Sequence, residues 1–193
     1  MNKVKIAQIG VGYWGPNLLR NLSNNKNCEV EMVVDLSEER RSFVENYYPS
    51  TKVSDNFNDV INNLEIDAVV ISTPVATHYD LSIQCLNSGK HILVEKPMAR
   101  TVKEVQHIGS VANNNNLVAM VGHTFLYNTA VRYVKELINS GKIGDIQYIY
   151  SNRLNLGTIR AEENVFWSFA PHDIALFQWL TSSFPQKITS NGL

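Results

Sequence analysis

Two cysteines in 193 residues, Cys28 and Cys85, argue against a disulfide-stapled scaffold, and they form no C-x-x-C pair. Both fall in apolar segments, which reads as buried thiols rather than a metal or redox site; no metal is expected. Neither sign of charge dominates: 17 Lys and Arg stand against 18 Asp and Glu, a net charge of −1. A basic surface for nucleic acid and a charged interaction tail are both missing. No apolar run approaches the roughly 20 residues that a membrane-spanning helix needs. The chain opens on an apolar strand instead of a basic region, apolar stretch and cleavage site. These absences favour a cytoplasmic protein with a small-molecule ligand. What remains is an ordinary globular composition, 44% hydrophobic and 18% charged. It is long enough for one full domain and part of another.

The most informative stretch is Lys3-Val-Lys-Ile-Ala-Gln-Ile-Gly10-Val-Gly12-Tyr13-Trp14-Gly15. An apolar strand runs into a G-x-G-x-x-G turn, and a helical pattern, Pro16 to Leu22, follows at once. Gly10 permits the tight turn, Gly12 lets backbone approach a pyrophosphate, and Gly15 allows close helix–strand packing. The positive end of that helix then faces the phosphates. A second strand, Cys28 to Val34, ends in Asp35, 20 residues past Gly15, where a carboxylate accepts hydrogen bonds from an adenosine ribose. The order strand, turn, helix, strand, acid predicts a dinucleotide site. It favours NAD over NADP, because a carboxylate repels a 2′-phosphate; Arg40 and Arg41 on the next helix could soften that preference. A glycine-rich turn in an ordinary βαβ unit is the bland alternative.

Strands and helices alternate onward. Helices are expected from Ser37 to about Tyr48, at Asn58–Asn62, Thr77–Asn87 and Thr101–Asn113. Strands are expected at Lys52–Val53, Ala68–Ile71, His91–Val94 and Leu117–Val121. This order predicts an α/β fold with a doubly wound parallel sheet over residues 1–122. After Gly122 the pattern changes: a helix over Ala130–Asn139, a long alternating strand over Asp145–Leu154, a helix opening at Pro171 and a strand at Gln186–Thr189. Residues 123–193 read as the start of a second α/β open-sheet domain whose remainder is absent.

Three further segments carry chemistry. Ser72-Thr73-Pro74-Val75-Ala76-Thr77-His78 follows a core strand at the edge where doubly wound sheets bind ligands. Thr73 and Thr77 suit hydrogen bonding to a cofactor and Pro74 fixes the turn. His78 is open to either a capping or a functional role. Glu95-Lys96-Pro97 brings a Glu-Lys pair to the same edge. A lysine losing basicity by desolvation can hydrogen-bond a substrate hydroxyl, although a surface ion pair explains the pair alone. Ala170-Pro171-His172-Asp173 puts a histidine suited to proton transfer at an expected helix start; taken alone, a capping or core role would explain it better. Asp173 reads as a first-turn dipole partner. Arg153 and Arg160, with Asn152 and Asn155, suit an anionic or diphosphate-bearing substrate, or simply a solvated surface.

Together, the glycine turn with Tyr13-Trp14, the Ser72-Thr73-Pro74…Thr77-His78 segment, Glu95-Lys96-Pro97 and the Gly122-His123 strand end resemble the Gfo/Idh/MocA family (glucose–fructose oxidoreductase / inositol dehydrogenase) over essentially the whole chain. The resemblance implies a Rossmann domain binding NAD or NADP and a C-terminal α/β domain supplying substrate contacts and a homo-oligomer interface. It implies catalytic roles for Lys96 and His172. Gly10, Gly12, Tyr13, Trp14, Gly15, Asp35, Ser72, Thr73, Pro74, Thr77, His78, Glu95 and Lys96 would surround the cofactor. Lys96, His123, Arg153 and His172 would meet a sugar or nucleotide-sugar substrate. Ser168 stands where the family often has an aspartate, four residues before the histidine, which puts the usual proton relay in doubt. The expected activity is hydride transfer between a sugar hydroxyl and NAD. The alternative is a non-catalytic NAD binder without a complete substrate domain.

Overall fold

The apolar runs of the first two thirds become strands because β-branched residues pack well on both faces of a covered sheet. The computed structural model describes residues 3–154 and 165–192. Its strands are β1 (Val4–Ile9), β2 (Cys28–Val34), β3 (Lys52–Ser54), β4 (Ala68–Ile71), β5 (His91–Val94) and β6 (Ala119–Val121). The interleaved helices are α1 (Gly15–Ser23), α2 (Glu38–Tyr47), α3 (Asn58–Ile61), α4 (Val75–Asn87) and α5 (Val102–Asn114). All neighbouring strands run parallel, in the order β3-β2-β1-β4-β5-β6. This is the doubly wound dinucleotide-binding order, in which the chain reverses its winding between β1 and β4.

Side-chain alternation along β1 feeds two layers. Ala7 and Ile9 join Val69, Ile71, Ile92 and Val94 under α4 and α5, whose Cys85, Leu86, Ile108 and Ala112 complete that core. Ile6, with Val70 and Cys28, meets Leu18 and Leu22 of α1 on the other face. Alongside, Val33 and Val44 pack with Leu19. Cys28 and Cys85 are both buried free thiols. Burial pushes the Cys85 thiol up to about 12. Helix ends follow local chemistry. Ser37 accepts from the Arg40 N–H at the start of α2, and Thr101 and Glu104 form a reciprocal capping box on α5.

The described chain divides after Gly122 into two units. The second holds a 3₁₀ turn (Thr124–Tyr127), α6 (Thr129–Asn139) and α7 (Val165–Thr181). Lys135 of α6 donates to the Leu180 carbonyl at 3.0 Å and the Ser182 hydroxyl at 2.7 Å. Two expectations are corrected here. Residues 145–154 and 186–189 form no strand. A strand needs a neighbour for its backbone N–H and C=O groups, and no described segment pairs with either. The helix expected to open at Pro171 instead begins at Val165 and runs through the proline. Proline removes one helical N–H, and the apolar residues on both sides keep the helix continuous. His172 and Asp173 are therefore mid-helix residues. Among the described residues, no helix is long and apolar enough to cross a membrane.

Candidate dinucleotide site

The carboxyl ends of β1, β2, β4 and β5 deliver the glycine turn, Asp35, Ser72-Thr73 and Glu95-Lys96 to one edge of the sheet. The three glycines are required for different reasons. Gly10 sits at φ +88°, and a Cβ there would lie 2.8 Å from the Ser72 carbonyl oxygen. At Gly15 a Cβ would lie 2.6 Å from the Gly10 carbonyl oxygen. At Gly12 a Cβ would meet no protein atom within 4 Å. The turn is thus tight against protein at its two ends and open in the middle.

The start of α1 complements that opening. It has no side-chain cap and no acidic residue in its first turn, unlike α2 with Ser37, Glu38 and Glu39. A helix start left uncapped and uncompensated suits a phosphate. At the end of β2, Asp35 accepts from the Val11 N–H at 2.8 Å and the Ser37 N–H at 2.9 Å. Each carboxylate oxygen keeps further acceptor capacity, which fits ribose hydroxyls. Arg41 donates from Nη1 to the carbonyls of Asp35 (2.8 Å) and Leu36 (3.0 Å). Its guanidinium thereby ties this loop to α2. Tyr13 is 83% exposed, whereas Trp14 stands beside the Glu95 carboxylate.

Glu95 also accepts from the Lys96 N–H at 3.2 Å. Burial pushes its carboxyl above the ordinary range, against the opposing pull of the Lys96 N–H and charge and of Trp14. Ser72 donates to the Gly10 carbonyl at 2.7 Å, and Thr73 and Thr77 share a hydroxyl–hydroxyl bond of 2.7 Å. Pro74 caps α4 in extended backbone and accepts from the Thr77 hydroxyl. His78 is buried, with both ring nitrogens against backbone carbonyls, so it meets the edge through those carbonyls rather than by direct exposure.

In the second unit, His123 precedes the 3₁₀ turn, and the His172 ring lies 4.5 Å from the Phe125 ring, centre to centre. Arg153 stacks over Phe125 and grips Asp173 with two bonds of 2.9 Å. Asp173, whose carboxyl is lowered chiefly by that Arg153 bond, also accepts from Ser151. Its partner is thus an arginine and not the start of a helix. The bidentate grip commits that side of the Arg153 guanidinium within the unit. Asn152 is exposed; Asn155 and Arg160 lie outside the described residues.

One contributor was missed in the sequence. Gln8 is fully buried, and its Nε2 donates to the carbonyls of Gly10 (3.0 Å) and Gly15 (2.9 Å) and reaches the Ser72 hydroxyl. It staples the two tight glycines together. A polar amide inside an apolar strand, two residues before the first glycine, was the available signal. Gly122, singled out with His123 as a strand end, has a packing reason as well: a Cβ there would lie 2.9 Å from a Glu95 carboxylate oxygen.

Comparison with known proteins agrees with this geometry. Residues 4–123 match the family model described as an oxidoreductase family with an NAD-binding Rossmann fold, Gfo/Idh/MocA. The chain belongs to the Gfo/Idh/MocA family. Among curated relatives it is 27% identical over 197 residues to a 4-carboxy-2-hydroxymuconate-6-semialdehyde dehydrogenase of Sphingobium, covering 98% of this chain and 62% of that protein. It is 26% identical over 182 residues to an inositol 2-dehydrogenase of Salmonella typhimurium, covering 92% and 54%. A scyllo-inositol dehydrogenase from Lactobacillus casei, solved with NAD(H) and scyllo-inositol, superposes with a TM-score of 0.80 at 24% identity, covering 94% of this chain and 57% of that one. The chain spans little more than half the length of the Gfo/Idh/MocA relatives it matches.

Proposed function

We propose that this chain is the cofactor-bearing part of an NAD-dependent dehydrogenase acting on a hydroxyl of a sugar, cyclic polyol or nucleotide sugar. The observation that carries the reading is the pairing at one sheet edge of an open, uncapped glycine turn with Asp35 at the end of β2. Gly10, Gly12 and Gly15 would cradle the pyrophosphate on the start of α1, and Asp35 would take the ribose hydroxyls. Ser72, Thr73, Pro74 and Thr77 would line the nicotinamide side. With Arg41 bound to the Asp35 and Leu36 carbonyls, the preference should fall to NAD over NADP. The nicotinamide, when bound, supplies the hydride acceptor or donor.

Lys96 would donate a hydrogen bond to the reacting hydroxyl oxygen and hold its developing charge. Glu95, which accepts from the Lys96 N–H, would limit where the Lys96 backbone stands. His172 is assigned the removal or return of the hydroxyl proton, and His123 and Arg153 contact with substrate. A cytoplasmic location and a homo-oligomer belong to the same proposal. A second reading, NAD binding without turnover, draws support from the second unit, where no described residue is buried.

The deciding experiment is titration of the 193-residue chain with NADH and NADPH, following energy transfer from tryptophan. Tighter binding of NADH, lost in Gly12→Val, is the expected result. A folded chain that binds neither nucleotide would sink the cofactor reading. Addition of inositols and sugars with NAD then separates the two readings: absorbance of reduced nicotinamide appears only if the chain turns over.

A further inference from the structure

His78 lies in the first turn of α4 and is 2% exposed. Its Nε2 is 2.8 Å from the carbonyl oxygen of Thr73, and its Nδ1 is 2.8 Å from the carbonyl oxygen of Pro97. A carbonyl oxygen only accepts, so the ring is the donor wherever the two bond. The N–H groups of Gln or Asn sit on a single nitrogen, whereas an imidazole presents its two nitrogens on separate sides of a rigid ring, one toward each carbonyl.

The two carbonyls belong to separate parts of the candidate site. Thr73 is in the turn between β4 and α4, and Pro97 follows Lys96 beyond β5. We propose that His78 is a positioning residue: its ring bridges the Thr73 turn and the Lys96-Pro97 segment and so fixes where Lys96 stands at the cofactor edge. What Lys96 does there rests on the dehydrogenase reading; the clasp does not. The clasp also explains why a histidine that touches neither solvent nor the edge directly is spaced as it is between two motifs.

The test begins with the ligand-free 193-residue chain, uniformly labelled with ¹⁵N, beside its His78→Leu and His78→Asn variants. Both variants should move the backbone amide signals of Thr73, Lys96 and Met98 while leaving those of α2 and β3 in place. NADH binding should weaken about tenfold. If those amides and the NADH affinity stay unchanged and only the melting temperature falls, His78 is a core residue and the positioning role is wrong. Should neither variant fold, His78→Gln, which keeps an N–H donor, takes their place with the same two outcomes. If the wild-type chain binds no NADH, the dehydrogenase reading falls, and the amide results still decide the clasp.

Discussion

The two units carry the same kinds of apolar residue and treat them in opposite ways. In the first, Ile71, Leu86 and Ile108 are fully buried, with every strand of the sheet next to at least one other. In the second, Tyr148 is 79% exposed, Leu154 88% and Phe184 82%, and no described residue after Gly122 is buried. Apolar alternation is only half of a fold instruction. It becomes structure where a partner strand takes the backbone bonds and a helix covers the face. The candidate cofactor groups lie almost wholly in the unit that meets both conditions. The proposed substrate groups lie largely in the one that does not.

The largest effects should test whether the first unit carries the nucleotide by itself. Gly12→Val adds bulk where the protein has none, so folding should be unchanged while NADH affinity falls about 100-fold or more. Gly15→Val drives a side chain into the Gly10 backbone and the Gln8 staple, so it should lose binding and lower the melting temperature together. Calorimetry of both variants beside NADH titration checks the contrast. Equal loss of stability in the two would mean that the middle of the turn is not an open cradle.

Core substitutions sharpen the comparison next. Leu86→Ala should destabilise by about 2–5 kcal/mol, as for other fully buried leucines. Leu154→Ala removes the same atoms from an exposed position and should stay within about 0.5 kcal/mol. Denaturant unfolding of this chain measures both. A large cost at Leu154 would show that the second unit seals its apolar face in solution.

A smaller effect concerns nucleotide choice, which the first unit should determine alone. Asp35→Ser removes the charge that opposes a 2′-phosphate while keeping a hydroxyl in reach of Val11. The ratio of NADPH to NADH dissociation constants should fall about tenfold, roughly 1.4 kcal/mol. If the ratio does not move, Asp35 is chiefly a loop fastener for Val11 and Ser37.

How much of this was legible follows the same division. Ala68–Ile71 and His91–Val94 were bounded correctly from sequence because they are short apolar runs between clear turn signals. The glycine turn and Asp35 were legible because their roles depend on spacing along one βαβ unit. Gln8 was not, since its work depends on which face of β1 it occupies and on Ser72, 64 residues away. His78 was legible as a candidate, but its two carbonyl partners emerge only when β4 and β5 pair. Asp145–Leu154 carried the right alternation for a strand and failed for want of a partner. Pro171 suits a helix start, yet the helix begins at Val165 and runs through it, carried by the apolar residues on both sides.

The smallest prediction sits at Glu95, inside the first unit. Glu95 accepts from the Lys96 N–H, and Gly122 approaches its carboxylate closely. Its carboxyl is raised above the ordinary 4.5, with burial as the leading cause. A raised carboxyl holds its proton more tightly in the folded chain than in the unfolded one. Ionisation of Glu95 therefore weighs against folding at neutral pH, and that penalty is relieved as pH falls through the raised value toward 4.5. Glu95→Gln keeps an acceptor for the Lys96 N–H without the charge. It should match or slightly exceed the wild-type melting temperature at neutral pH, and the advantage should shrink on acidification. A variant less stable than wild type at neutral pH by several degrees would mean that the charge itself, through Lys96, outweighs the burial that opposes it. The ordering of the edge would then depend on an ion pair rather than on packing around Gly122.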